Sequence, residues 1–382
     1  MLCLVAALIQ LSCARHISDD EAAAWKQLTR YFTIDEIKQS ESFPLVAARK
    51  FGSDVIVDCN GTYKIVDVDK LKLVPLSIQN ARAIHSIYDD DRRLYALCSV
   101  PQGVRLKVKD EAQWREMDVP APVVAKPKDW SIIAGDGEIV LISEGLCFSW
   151  QKSHWQKIVL KGDVTFRPGN KLVMKAGKIY SAFDLGEWGG RIVEIDCQSG
   201  ASQTIFENSM YPVTDLKFGS NGQLWFVCGC AHMMWQSAAL YSYDGELHCL
   251  SEVQGIRSSI INSLSPPSIL SSLQKLTGKS AIRRSNWAWE PTSFAGLVFD
   301  NDGSLLISTL DYGLLRYSKG QWSGLTQTWK EGVPVCGLVL TKSDTAVLPV
   351  YDRGIVLYDL KKGDYKFILP EYCKRVPGAE RR

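Results

Sequence analysis

Residues 291–326 decide the fold: Gly296-Leu-Val-Phe-Asp-Asn-Asp-Gly303, Ser304-Leu-Leu-Ile-Ser-Thr309, Leu310-Asp-Tyr-Gly313, Leu314-Leu-Arg-Tyr317, Ser318-Lys-Gly320 and Gln321-Trp-Ser-Gly-Leu325. Four short apolar runs are separated by three turn signals, Asp302-Gly303, Asp311-Tyr312-Gly313 and Lys319-Gly320. Two or three residues between runs is hairpin spacing, so the stretch reads as a four-stranded antiparallel meander. Such a sheet has two faces to bury and cannot bury them alone, so it must stack on copies of itself.

Working outward, the copies are there. From Pro44 onward the pattern keeps period two. It divides into units at 46–75, 83–119, 130–160, 171–206, 213–250, the opening stretch, and 336–369. Asp89-Asp90-Asp91, Gly135-Asp136-Gly137 and Ser220-Asn221-Gly222 mark first turns. The period is near the ~40–45 residues of a four-stranded propeller blade. Turns every ~8–12 residues also suit a sandwich or barrel. The repeated meander selects an all-β, seven-bladed β-propeller, in which radial closure hides strand edges. The propeller is expected over residues 44–370, with an insertion at 251–290.

The sixth unit resembles the repeat of two-component-regulator propellers and related bacterial sensor propellers. The residues that carry the likeness are Asp300, Gly303, Leu306, Thr309, Gly313, Leu314 and Tyr317. Unit five keeps Asn221-Gly222, Leu224 and Trp225, and unit seven keeps Gly354, Leu357 and Tyr358. The Gly-His and Trp-Asp dipeptides of WD40 blades are absent. The resemblance implies the fold and, since many functions share it, no particular activity.

Outside the repeats, residues 1–14 form an apolar run with Ser12 and Ala14 at the −3 and −1 positions of a secretory cleavage site, without a basic n-region. The expectation is export, periplasmic or extracellular. The alternative is a cytoplasmic protein with an apolar first strand. Residues 15–43 read as a helical segment, opened by the Ser18-Asp19-Asp20-Glu21 cap. Residues 371–382 read as a disordered tail. No segment is long and apolar enough to span a bilayer, which takes about 20 residues.

With 44 Lys and Arg against 42 Asp and Glu, the net charge is +2, and no block of like charge occurs. Nucleic acid and anionic membrane surfaces are therefore not expected as partners. The 11 cysteines include nine after the leader. They are scattered through strands (Cys98, Cys147, Cys197, Cys336), which suits buried thiols better than a disulfide framework.

In a propeller the A–B and C–D turns of every blade lie on one rim, while the B–C turns and the links between blades lie on the other. The irregular segments all fall on the second rim. They are Asp184-Leu-Gly-Glu-Trp-Gly-Gly190, Gly229-Cys-Ala-His-Met-Met-Trp-Gln-Ser237 and the 251–290 insertion. This rim supplies the candidate binding residues Asp184, Glu187, Trp188, Arg191, His232, Trp235, Arg283, Arg284, Trp287, Trp289, Asp311, Tyr312, Asp352 and Arg353. In the insertion, Ile269, Leu270, Leu273 and Leu276 share one helical stripe, the pattern of a lid.

Cys228, Cys230 and His232 alternate and offer soft metal ligands. Their spacing matches no recognised structural site. The acidic residues Asp184, Asp311 and Asp352 suit a calcium site or ordinary turn caps. No nucleophile elbow, His-Glu-x-x-His, P-loop or dinucleotide turn is present, and no cofactor is implied. The sequence thus predicts a monomeric, non-catalytic binding propeller that recognises a protein or a carbohydrate on the B–C rim. The alternative is a metal-dependent lyase or hydrolase with an acidic site at the channel mouth.

Overall fold

The computed structural model describes residues 45–368, except 53, 60–61, 91, 111–112, 163–170, 186–188, 233–234, 257–281, 285–291, 311–312, 326–336 and 351–353. The leader, the segment 15–43, the helical stripe at 269–276 and the tail lie outside the described residues.

Seven antiparallel meanders form a ring, so the fold is a seven-bladed β-propeller. In each blade the strands A to D follow one another in sequence and in space. The A strands of successive blades touch around the centre, and blade seven's A strand (Val339–Leu340) reaches blade one's (Leu45–Phe51). The ring therefore closes without a strand being exchanged between blades.

Radial position explains the burial. B strands are sandwiched between neighbouring blades, so runs such as Glu138–Ser143 and Leu305–Thr309 are buried on both faces and read as unbroken apolar segments. Outermost D strands such as Gln113–Asp118 and Gln321–Gly324 are mostly exposed and polar.

Apolar clusters bridge blade to blade. One joins Phe206, Phe226 and Tyr241 across blades four and five. Another joins Val55 and Val57 to Val347 and Leu357 across the closure. At that closure Gly337 lies flat on the first blade: a Cβ there would fall 2.4 Å from the Ala48 nitrogen.

Turn chemistry holds the rim of the A–B and C–D turns. Asp136-Gly137 and Lys319-Gly320 have positive φ at both residues (52° and 84°; 50° and 78°), the geometry of a tight hairpin turn. Asp300, the first residue of the family-like signature, is a turn cap. Its Oδ1 accepts the Asp302 and Ser304 N–H groups at 3.1 and 3.0 Å. One feature was not foreseen: the link between blades two and three holds a helix, Ala121–Ala125, set among Pro120, Pro122 and Pro127.

Candidate functional site

Blade five departs from the sequence expectation. Its supposed nine-residue B–C loop is strand: B runs Leu224–His232 and C runs Trp235–Tyr243. D runs Leu247–Ile256, which takes in the start of the expected insertion, and a fifth strand, Ile282–Arg284, pairs outside it. Strand A stops at the Gly229 N–H, which donates to Pro212 O at 3.1 Å. Cys230, Ala231 and His232 continue beyond, opposite Ser237, Gln236 and Trp235. Strand D keeps pace, with Gln254, Gly255 and Ile256 opposite Ser237, Gln236 and Trp235. In blade six strand B ends at Thr309, opposite the first residue of its strand A. Blade five is thus raised by three residue pairs, about 10 Å at a strand's rise.

Gly229 makes this continuation possible. It passes against blade six so closely that a Cβ would fall 2.1 Å from Phe294 O. The raised sheet is polar inside: Ser237, Gln236 and Gln254 are buried. Among the described residues Ser237 Oγ, Gln236 Oε1 and Gln254 Oε1 find no hydrogen-bond partner. On the same sheet, buried Glu252 accepts the Tyr211 hydroxyl at 2.6 Å.

Next to this flap, blade four ends its B strand at exposed Asp184, in register with Gly190. Leu185 N–H donates to Gly189 O at 2.9 Å, closing the connection. The Arg191 guanidinium lies 4.8 Å from the centre of the Phe183 ring. Gly189 abuts the link to blade five, where a Cβ would meet Asn208 O. At this corner Leu185 and Met210 are 44% and 48% exposed.

Of the expected residues, Asp184, Arg191, His232, Trp235, Arg283 and Arg284 lie among the described ones. Asp184 and Arg191 are placed as above. His232 and Trp235 are register partners at the end of strands B and C, and Arg283 and Arg284 lie on the fifth strand in register with Val253 and Glu252. Glu187, Trp188, Trp287, Trp289, Asp311, Tyr312, Asp352 and Arg353 lie outside the described residues. Among the described residues no three His, Cys, Asp or Glu side chains are grouped to hold a metal ion. Burial pushes the Cys228 thiol well up, which favours the neutral form over a thiolate ligand.

The opposite rim is not plain. Between blades four and five it carries a groove of about 490 Å³ that the sequence did not announce. One wall is Lys178, Tyr180 and Glu194; the other is Gln223, Tyr243 and Asp244, with Phe218 between them. Buried Glu194 accepts from Lys178 Nζ at 2.7 Å and Gln203 Nε2 at 2.9 Å. Burial pushes this carboxyl up, but the bonds from Lys178, Tyr180 and Gln203 outweigh it and hold the group below the usual range.

No family model matches the chain, and no curated protein matches it. Solved propellers do resemble it in fold. The extracellular domain of BT4673 from B. thetaiotaomicron, described as a hybrid two component system, superposes with a TM-score of 0.47 at 13% identity. That match covers 84% of this chain and 38% of the other, so this chain spans well under half of that protein's length. YCF48 bound to D1 peptide superposes with a TM-score of 0.51 at 11% identity, over 83% of this chain and 92% of that one. Puromycin hydrolase gives 0.44 at 12% identity, over 75% and 47%. These likenesses are of architecture. Among the described residues no helix is long and apolar enough to cross a membrane.

Proposed function

We propose that this chain is a non-catalytic recognition propeller that binds a protein segment on the B–C rim, at the junction of blades four and five. The carrying observation is that Leu185 and Met210, large apolar side chains left exposed, stand on the blade-four connection and on the link that Gly189 abuts, on the rim where blade five's strands continue past its strand A. Exposed aliphatic side chains suit the apolar anchors of a peptide better than a sugar's hydroxyl groups. The propeller that YCF48 shares in outline is seen with a peptide bound, which supports the reading at the level of what the scaffold can do.

The ligand of this chain would be met after export, on the reading of residues 1–14 as a leader. Mass spectrometry of the mature N-terminus tests that part. A chain that retained Met1 would overturn it.

The binding itself is tested by selecting random displayed peptides on the immobilised full chain. The expectation is that selected peptides lose at least about tenfold in affinity on Leu185→Glu and Met210→Glu, a loss of about 1.4 kcal/mol. Lys178→Ala, on the opposite rim, leaves them unaffected. Failure to select any peptide, or peptides indifferent to both rim changes, would overturn the reading.

A further inference from the structure

The groove on the opposite rim lies apart from the B–C corner, and its chemistry differs. It is an open groove of about 490 Å³, within the size range of small-molecule sites. Its charges balance in number, with Lys175 and Lys178 standing against Glu194 and Asp244. Lys178 pairs with Glu194 at 2.7 Å, and Asp244 receives His248 Nε2 at 3.3 Å and Gln223 Nε2 at 3.4 Å. A bare ion therefore gains little by entering.

The groove offers donors and acceptors side by side. Lys178 Nζ, on a side chain 43% exposed, spends one bond on Glu194 and has further N–H groups to give. The Gln223 amide is spent on Ser242 and Asp244. Asn221, which gives one N–H to Gln223 Oε1 at 3.3 Å and accepts the Gln223 N–H at 3.1 Å, keeps a second amide N–H and a second lone pair. The base is aromatic. Phe218 is half-buried, with Tyr180 set edge-on at 5.4 Å and the Lys175 ammonium 5.2 Å from the ring centre.

A neutral ligand whose groups both donate and accept, and which carries an apolar C–H face for an aromatic ring, is a pyranose sugar. We infer that the groove between blades four and five binds a short neutral saccharide. Phe218 and Tyr243 supply the apolar surface; Lys178, Asn221, Gln223 and Asp244 read the hydroxyls. The site faces away from the protein-binding rim, so both ligands can be held at once.

The test is saturation-transfer NMR followed by calorimetry on the full chain, with maltose, cellobiose and lactose each at about 10 mM. At least one sugar should show transfer concentrated on its ring C–H protons. Asn221→Ala and Gln223→Ala, both changes at the groove's rim, should weaken it at least about fivefold. Phe218→Ala should abolish it, with circular dichroism confirming a folded chain. Leu185→Glu should leave sugar binding unchanged, which separates this site from the peptide site. Absence of transfer from all three sugars, or binding that survives both Asn221→Ala and Gln223→Ala, would overturn the inference.

Discussion

Asp215 on the first strand of blade five accepts the backbone N–H of Leu297, on the first strand of blade six, at 3.0 Å through Oδ2. Its Oδ1 accepts the Leu216 N–H at 2.9 Å, and the residue is 5% exposed. Inner strands have one edge without a ladder partner, and a buried N–H left open there is costly. Thr214 works beside it, donating to Phe294 O at 3.1 Å. Asp215→Ala removes the acceptor and strands the Leu297 N–H. The expected loss is about 2–3 kcal/mol of unfolding free energy in urea titration, with Asp215→Asn costing less. A change below about 0.5 kcal/mol would show that the staple contributes nothing.

Acid should weaken the ring at the wall between blades four and five. Glu194 has a folded-state pKa below its unfolded value, because the donors on its carboxylate outweigh its burial. Asp196 is also held low, first by the Ser199 N–H, which reaches its Oδ1 at 2.7 Å. A carboxyl depressed in the folded state binds fewer protons there than when unfolded. Its contribution is complete above the unfolded value, about 4.3 for Glu, and disappears as pH falls through the folded one. Thermal melts from about pH 6 to pH 3 should therefore show wild type converging on Glu194→Gln as the pH drops. A constant gap between the two would remove Glu194 from the acid limb.

The part of the fold that follows from local rules was open to reading. Asp136-Gly137 and Lys319-Gly320 announce hairpins because positive φ at two successive residues admits few side chains. The doubly buried B strands show as unbroken apolar runs. Blade five defeated the same reading because its extension is decided elsewhere. Gly229 looks like a loop glycine, yet it is required by the backbone of Phe294, some sixty residues away in sequence. Ser237, Gln236 and Gln254 look like surface residues, yet they are buried. The groove between blades four and five had no local signal at all, since Lys178 and Asp244 come from different blades and only the ring brings them together.

The cysteines should report burial directly. Cys98, Cys147, Cys197 and Cys228 are fully buried, and burial pushes the Cys98 and Cys147 thiols up to about 12. Only the thiolate reacts with an alkylating agent, so these positions are protected twice, by access and by protonation. Cys249 is exposed. Brief iodoacetamide treatment of the native chain at about pH 8 should label Cys249 and leave these four untouched, with all five labelled in guanidinium. Native labelling of Cys147 would contradict the packing of blade three.

Ser237 tests whether the raised sheet of blade five is shaped for binding or for stability. Its hydroxyl is buried, the residue pairs in register with Gln254, and among the described residues neither Ser237 Oγ nor Gln254 Oε1 has a partner. An unsatisfied buried polar group costs about 1–3 kcal/mol, whereas an apolar group of the same shape costs nothing of that kind. Ser237→Ala leaves a void of one oxygen and removes the desolvation penalty, and Gln254→Leu does the same at closely similar volume. Each should hold or raise the midpoint of urea unfolding, by up to about 1 kcal/mol, while weakening peptides selected on this rim. A purely structural sheet would respond the other way. If both changes destabilised the chain by more than about 1 kcal/mol and left peptide affinity intact, the polar interior would belong to folding and not to recognition.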